Sequence, residues 1–395
     1  MNTLEAEFLS PAFLQNPYPW YEALRSTAPL AYHPQHASWF ATDFEDVNTI
    51  LRDRRFGRKT PPGAGKRVNP PDAFQQLGDH TLMDMEPPDH TRLKGLVMSI
   101  FTPRRVETLR VKVQDMALHL GQAARESGSF DLLTQVAEPL SVTVIADLLG
   151  VPDEIRPHLR PWSKDIVAMY ELAPASGARA RANTAVEEFS RAFTDLMEAR
   201  RAHPADDLVS GLAAAVTAGQ ISDQEAVAAG ILLLNAGHEA TVNASGNGLL
   251  ALLNMPGQWQ MLRGNPALVR GAVEEMLRYD TPLQLFHRWV MEDVEYKGIT
   301  FRAGERIALL YGAANRDPKK FDRPEQFDIT RAENGHITFG SGIHYCLGAP
   351  LARLELTVTL QMLLDLFPNI AVEGQPEFMP SFVIRGLKEL RLRCA

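Results

Sequence analysis

The sequence predicts a mainly α-helical fold that carries a few small β-sheets. Long stretches place apolar residues at helical spacing, at 102–124, 186–201, 222–255 and 349–367. One region, 287–317, instead alternates β-forming residues with glycine turns. Nowhere do strands and helices alternate in the βαβ order of a large parallel sheet.

In chain order, the Pro/Gly-rich RKTPPGAGKRVNPPDAF (58–74) is a loop, long enough to be functional or mobile. TPRRVETLRVKVQDMALHLGQAA (102–124) opens on Thr-Pro and predicts one helix. PLSVTVIADLLGVP (139–152) begins with β-branched residues and turns helical before Gly150. Residues 186–201 form an amphipathic helix. Ser222 and Glu225 make a capping box, opening a helix that runs to about Met255. Asn235, Gly237, His238, Glu239 and Thr241 interrupt its apolar run. A further helix, 266–282, is stopped by Pro282; short strands follow it. The last helix, 349–367, gives way to strand-like sequence.

The 395 residues are 45% hydrophobic and 22% charged, a globular composition long enough to enclose a large ligand. Forty basic against 48 acidic residues leave a net charge of −8, which argues against general nucleic-acid binding. Two cysteines, Cys346 and Cys394, build no disulfide framework and point to a reducing, cytoplasmic setting. The N-terminus reads as neither secretory signal nor anchor, and no segment reaches the ~20 apolar residues of a membrane span.

The segment TFGSGIHYCLGAPLARLE (338–355) carries the most chemistry. Three glycines, Gly340, Gly342 and Gly348, surround one cysteine just before a helix. Glycine lets backbone lie close against a flat ligand. Amide N–H groups and the positive end of a helix dipole favour thiolate over thiol. Such a thiolate is a nucleophile or a metal ligand; a small core cysteine is the other reading. Zinc is disfavoured, because no second cysteine or tight histidine pair lies at ligand spacing.

Phe339, Gly340, Gly342, His344, Cys346, Leu347 and Gly348, continued by Leu351, Ala352, Arg353 and Glu355, resemble the haem-binding signature of the cytochrome P-450 superfamily. The resemblance runs from about Pro17 to Arg385. It implies one haem domain over 1–395, haem b, and Cys346 as the axial thiolate of the iron. It places His344, His90, Lys94 and Arg288 against the haem propionates and Phe339 beside the cysteine. Glu275 and Arg278 resemble the family's buried E-x-x-R lock. In RPEQF (323–327), Gln326 occupies the position of the lock's usual third arginine, so Arg323 or a backbone contact is expected there.

AGHEAT (236–241) resembles the family's oxygen-activating signature, and Glu239, Ala240 and Thr241 are the candidate catalytic stretch. Ala240 stands where a threonine is expected. Thr241 lies about 100° further round the helix and should point elsewhere. Glu239 supplies an acid; a substrate oxygen or an ordered water is expected to replace the lost hydroxyl. For these polar residues standing alone, a kinked helix solvated by internal water is the other reading. The resemblance lines a substrate pocket with Leu232, Asn235, Ala236, Ala240, Gln284, Leu285, Phe286, Phe382, Val383 and Ile384. It makes 58–85 and 165–185 a lid.

The implied activity inserts one atom of O2 into a small organic substrate by hydroxylation, O-dealkylation or epoxidation. Electrons would come from a separate ferredoxin and ferredoxin reductase. Arg92, Lys94, Arg104, Arg105 and Arg353 form a basic rim suited to an acidic donor. A peroxide-driven enzyme and a non-catalytic haem sensor are the alternatives.

Overall fold

Ser222 and Glu225 close the capping box that their spacing predicts. Glu225 N–H donates to Ser222 Oγ at 3.1 Å, and Ser222 N–H donates to Glu225 Oε2 at 2.8 Å. The helix they open, Asp223–Leu253, is continuous over 31 residues. The computed structural model describes residues 7–65, 68–99 and 103–394. Two compact units divide the chain: Met1–Gly57, Arg110–Leu140 and Ala240–Ala395 make the first, and Arg58–Leu109 with Ser141–Glu239 the second.

The first unit holds a five-stranded sheet in the order Leu30–His33, Ser38–Ala41, Arg306–Leu310, Leu285–Val290, Phe56–Gly57. The Ser38–Ala41 and Arg306–Leu310 pair is parallel, and the other pairs are antiparallel. Trp39, Phe56, Phe301, Ile307 and Leu309 fill its core, each burial contributing roughly 1.5–3 kcal/mol. Ser129–Asp131, Arg391–Cys394 and Ile370–Val372 form a second sheet. Around these lie the helices Arg110–Glu126, Val269–Tyr279 and Ala349–Leu366.

The second unit is helical. Arg156–Val167 lies against Ala178–Ala202, where Trp162 stacks on Phe189 at 5.0 Å. Glu138–Leu149 is helical from its β-branched start and stops at Gly150, whose φ is +80°.

Two expectations need correction. The single helix over 102–124 is two, Pro103–Thr108 and Arg110–Glu126; Thr102 lies outside the described residues. The Thr108 hydroxyl donates to the Arg105 carbonyl, and Leu109 N–H turns to Val106 instead. This local competition breaks the ladder. The helix expected to run to Pro282 ends at Tyr279, after a tight turn at Pro266–Leu268.

Candidate active site

The cysteine loop folds back on itself. Cys346 N–H donates to the Phe339 carbonyl at 3.0 Å, and Gly340 N–H to Ile337 at 2.8 Å. Gly340 and Gly342 take φ of +71° and +72°, where a side chain is strained. At Gly342 a Cβ would also come within 2.7 Å of the Leu51 carbonyl oxygen. Gly348 differs: its φ is −80°, and a Cβ there would meet Cys346 Sγ at an ordinary 3.9 Å. Gly348 also begins Ala349–Leu366 without a capping side chain, so the helix's N-terminal amides follow directly on the cysteine loop. Cys346 is exposed there.

Phe339 is braced from behind. The Arg353 guanidinium sits 4.5 Å over its ring and is held by Glu274 at 2.6 and 2.9 Å. His336 Nδ1 accepts from Thr338 N–H, so Nε2 carries the hydrogen it donates to Glu274 at 3.0 Å. Burial pushes Glu274 up, but the His336 and Arg353 hydrogen bonds outweigh it and hold the carboxyl at about 2. Burial pulls His336 down, so the ring is neutral and Arg353 is the ionic partner.

The Glu275–Arg278 pair is fully buried, at 2.7 and 2.8 Å. Arg278 also donates to the carbonyls of Asn315, Pro324 and Gln326. Glu275 accepts from Asp328 N–H, Asn334 and Arg331. The Gln326 carbonyl supplies the expected backbone contact, accepting from both Arg278 and Arg331, and the third arginine is Arg331. Arg323, the expected substitute, lies at the surface with Asp322 and Gln326.

On Asp223–Leu253, the residues of AGHEAT divide by face. Ala236 is exposed, Leu232 and Ala240 are half-buried, and the three lie four apart on one open stripe. Asn235, His238 and Thr241 are buried. Thr241 is thus turned away from the open stripe, as its register requires. The Glu239 side chain is 23% exposed beside Ala240. Gly237 admits Ile145, which a Cβ would meet at 2.7 Å. The helix is unbroken through these residues; Ser245 donates to the Thr241 carbonyl, and Asn247 donates to the carbonyls of Asp280 and Arg385.

The profile described as Cytochrome P450 matches residues 162–385. The chain belongs to the cytochrome P450 family. This P450 is 35% identical to the Biotin biosynthesis cytochrome P450 of Bacillus subtilis (strain 168), covering 98% of both chains. It is 36% identical to Cytochrome P450 monooxygenase PikC of Streptomyces venezuelae, over 99% of this chain and 94% of that one. Its fold superposes on P450BioI, solved in complex with hexadec-9Z-enoic acid ligated acyl carrier protein, with a TM-score of 0.92 and 35% identity. That match covers 97% of this chain and 100% of that one.

The P450 is an oxidoreductase whose cofactor is haem b. The residues fit that group. A porphyrin brings four ligands of its own and needs one from the protein, and Cys346 is exposed at an uncapped helix end. His90 and Lys94 share a face of Asp89–Met98, four residues apart, the first buried and the second half-buried. Arg288 is buried in Leu285–Val290, its Nη1 donating to the His287 carbonyl at 3.1 Å. His344 is half-buried in the turn Gly342–His344.

Five of the expected pocket residues, Asn235, Gln284, Leu285, Phe382 and Val383, are buried. Gln284 is fully buried, its amide spent on Thr281 and Tyr21. Leu285 pairs with Leu310, Phe382 stacks on Phe8, and the Val383 carbonyl accepts from Gln284 N–H. Phe286 and Ile384 remain half-buried. The expected lid segments are joined: Asp72 caps Ala73–His80 and takes hydrogen bonds from Arg179 and Asn183. Three residues of the expected basic rim are paired with carboxylates. Arg92 is paired with Glu225 and Asp89, Arg105 with Asp206, and Arg353 with Glu274. Among the described residues, no helix is long and apolar enough to cross a membrane.

Proposed function

We propose that this P450 inserts one atom of O2 into a C–H bond of a small, mainly apolar organic molecule. Electrons come from separate partners of the ferredoxin and reductase type, and all of 1–395 serves one haem domain in the cytoplasm. Cys346 holds the iron. His90, Lys94, Arg288 and His344 neutralise the propionates. Leu232, Asn235, Ala236 and Ala240 line the substrate pocket together with residues 284–286 and 382–384. Bound haem supplies dioxygen activation, and a thiolate ligand favours O–O cleavage.

One observation carries the reading: Glu239 is a carboxylic acid partly exposed next to the open stripe, where it would supply protons to a bound substrate or haem. A sensor needs no such acid. With Ala240 in place of the hydroxyl, the chain to Glu239 is completed by a substrate oxygen or a water.

The first test is the reduced protein under carbon monoxide. A red-shifted Soret band supports thiolate ligation, and its loss in Cys346→His assigns the ligand. Substrates are then screened for a shift of the resting haem from low to high spin. Turnover with O2 and a ferredoxin pair supports the monooxygenase; turnover with peroxide alone makes it a peroxygenase.

A further inference from the structure

His238 is a buried titratable group that the roles above do not use. Its side chain is 2% exposed. Nδ1 lies 2.9 Å from the Leu234 carbonyl oxygen, one turn back along the helix. A carbonyl only accepts, so Nδ1 carries the hydrogen and Nε2 presents the lone pair of a neutral ring. Nε2 is buried without a hydrogen-bond partner, and Glu239 Oε1 stands 3.9 Å from it. A buried acceptor is costly until a donor reaches it. Glu239 becomes that donor when its carboxyl holds a proton.

The surroundings favour a neutral ring. Burial lowers the affinity of His238 for a proton, the Glu239 carboxylate raises it, and Arg160, from Arg156–Val167, lowers it again. Ile145, from Glu138–Leu149, fills the space at Gly237 and brings no charge.

We propose that His238 and Glu239 share one proton, and that His238 is the positioning residue that keeps Glu239 loaded. This rests on the reading of Glu239 as the acid. The proton sits on Oε1, hydrogen-bonded to Nε2, or on Nε2, facing the carboxylate. It passes between these two atoms and no electron moves. After Glu239 gives the proton up, water supplies the next one. Closing the 3.9 Å gap requires a rotation of the partly exposed Glu239 side chain. Because Ala240 carries no hydroxyl, retaining the proton falls to this pair.

The test is ¹⁵N NMR of histidine-labelled holoprotein in its diamagnetic ferrous carbonyl state, with His238 assigned by its loss in His238→Gln. The Nε2 signal should move with pH in the parent protein, on the acid side of the ordinary histidine range. Glu239→Gln, nearly isosteric and a permanent donor, should remove that dependence. Glu239→Asp, one bond shorter, should weaken it by about half or more. Identical pH profiles in parent and Glu239→Gln overturn the proposal. The carbon monoxide band tests the haem reading separately, so the two failures are distinguishable.

Discussion

Arg331 reaches Glu275 from 56 residues further along the chain, its Nε 3.2 Å from Oε2. Glu275 is fully buried and Arg331 is 9% exposed on its side chain, so the contact is shielded from solvent. Two guanidinium groups and an Asn334 amide therefore share one buried carboxylate.

Removing that charge should be costly. Glu275→Gln leaves the buried Arg278 without its counter-ion and is expected to lose about 3–5 kcal/mol. Arg331→Gln should lose about 1–2 kcal/mol. Arg323→Ala, at the surface, should stay within about 0.5 kcal/mol. Urea unfolding followed by circular dichroism ranks the three, and an Arg323→Ala cost equal to that of Arg331→Gln would refute the assignment.

The two glycine types in the cysteine loop should separate. Gly342→Ala meets both a positive φ and the Leu51 carbonyl, so it should cost about 1–3 kcal/mol or more. Gly348→Ala meets neither and should leave the unfolding midpoint nearly unchanged. The same denaturation series reads both.

On the central helix, Glu239→Gln should lower turnover about a hundredfold or more. Thr241→Val should change product formed per electron pair by less than about threefold, since this residue faces inward. Ala240→Thr should likewise gain less than about threefold if the substrate or a water completes the chain. A large gain in coupling would show that nothing had replaced the hydroxyl.

Glu274 makes stability sensitive to acid. Its folded value, about 2, lies below the ordinary 4.5, so its contribution is complete above the ordinary value. That contribution is lost as pH falls toward 2, an amount of about 2–3 kcal/mol with the side chain 22% exposed. Urea midpoints should drop between pH 5 and pH 3 more steeply in the parent than in Glu274→Gln. Parallel slopes would exclude the effect.

Much of the site was legible because it depends on near neighbours. The capping box, the i,i+3 lock and the glycine-flanked cysteine each express spacing along a few residues. The register of AGHEAT likewise put Thr241 off the stripe of Ala240 before any fold was known. Other features were hidden because the sequence does not reveal distant partners. No local signal marks Arg331 as the third member of the lock. Nor does one show that Gln284 spends its amide on Tyr21, 263 residues away.

The sequence by itself determined the helical class, the cysteine and its loop, the acid at Glu239 and the missing hydroxyl at Ala240. These follow from residue chemistry and helical period. Tertiary structure alone decided which charges are paired. Arg92 and Arg353 look like free cations on paper, yet each is held by a carboxylate at 2.5–2.6 Å. The same holds for His238, a bare letter in the sequence. Burial and the Leu234 carbonyl set its tautomer and leave Nε2 facing Glu239. Burial and pairing are properties of three-dimensional neighbours, and they set the charge on which the chemistry depends.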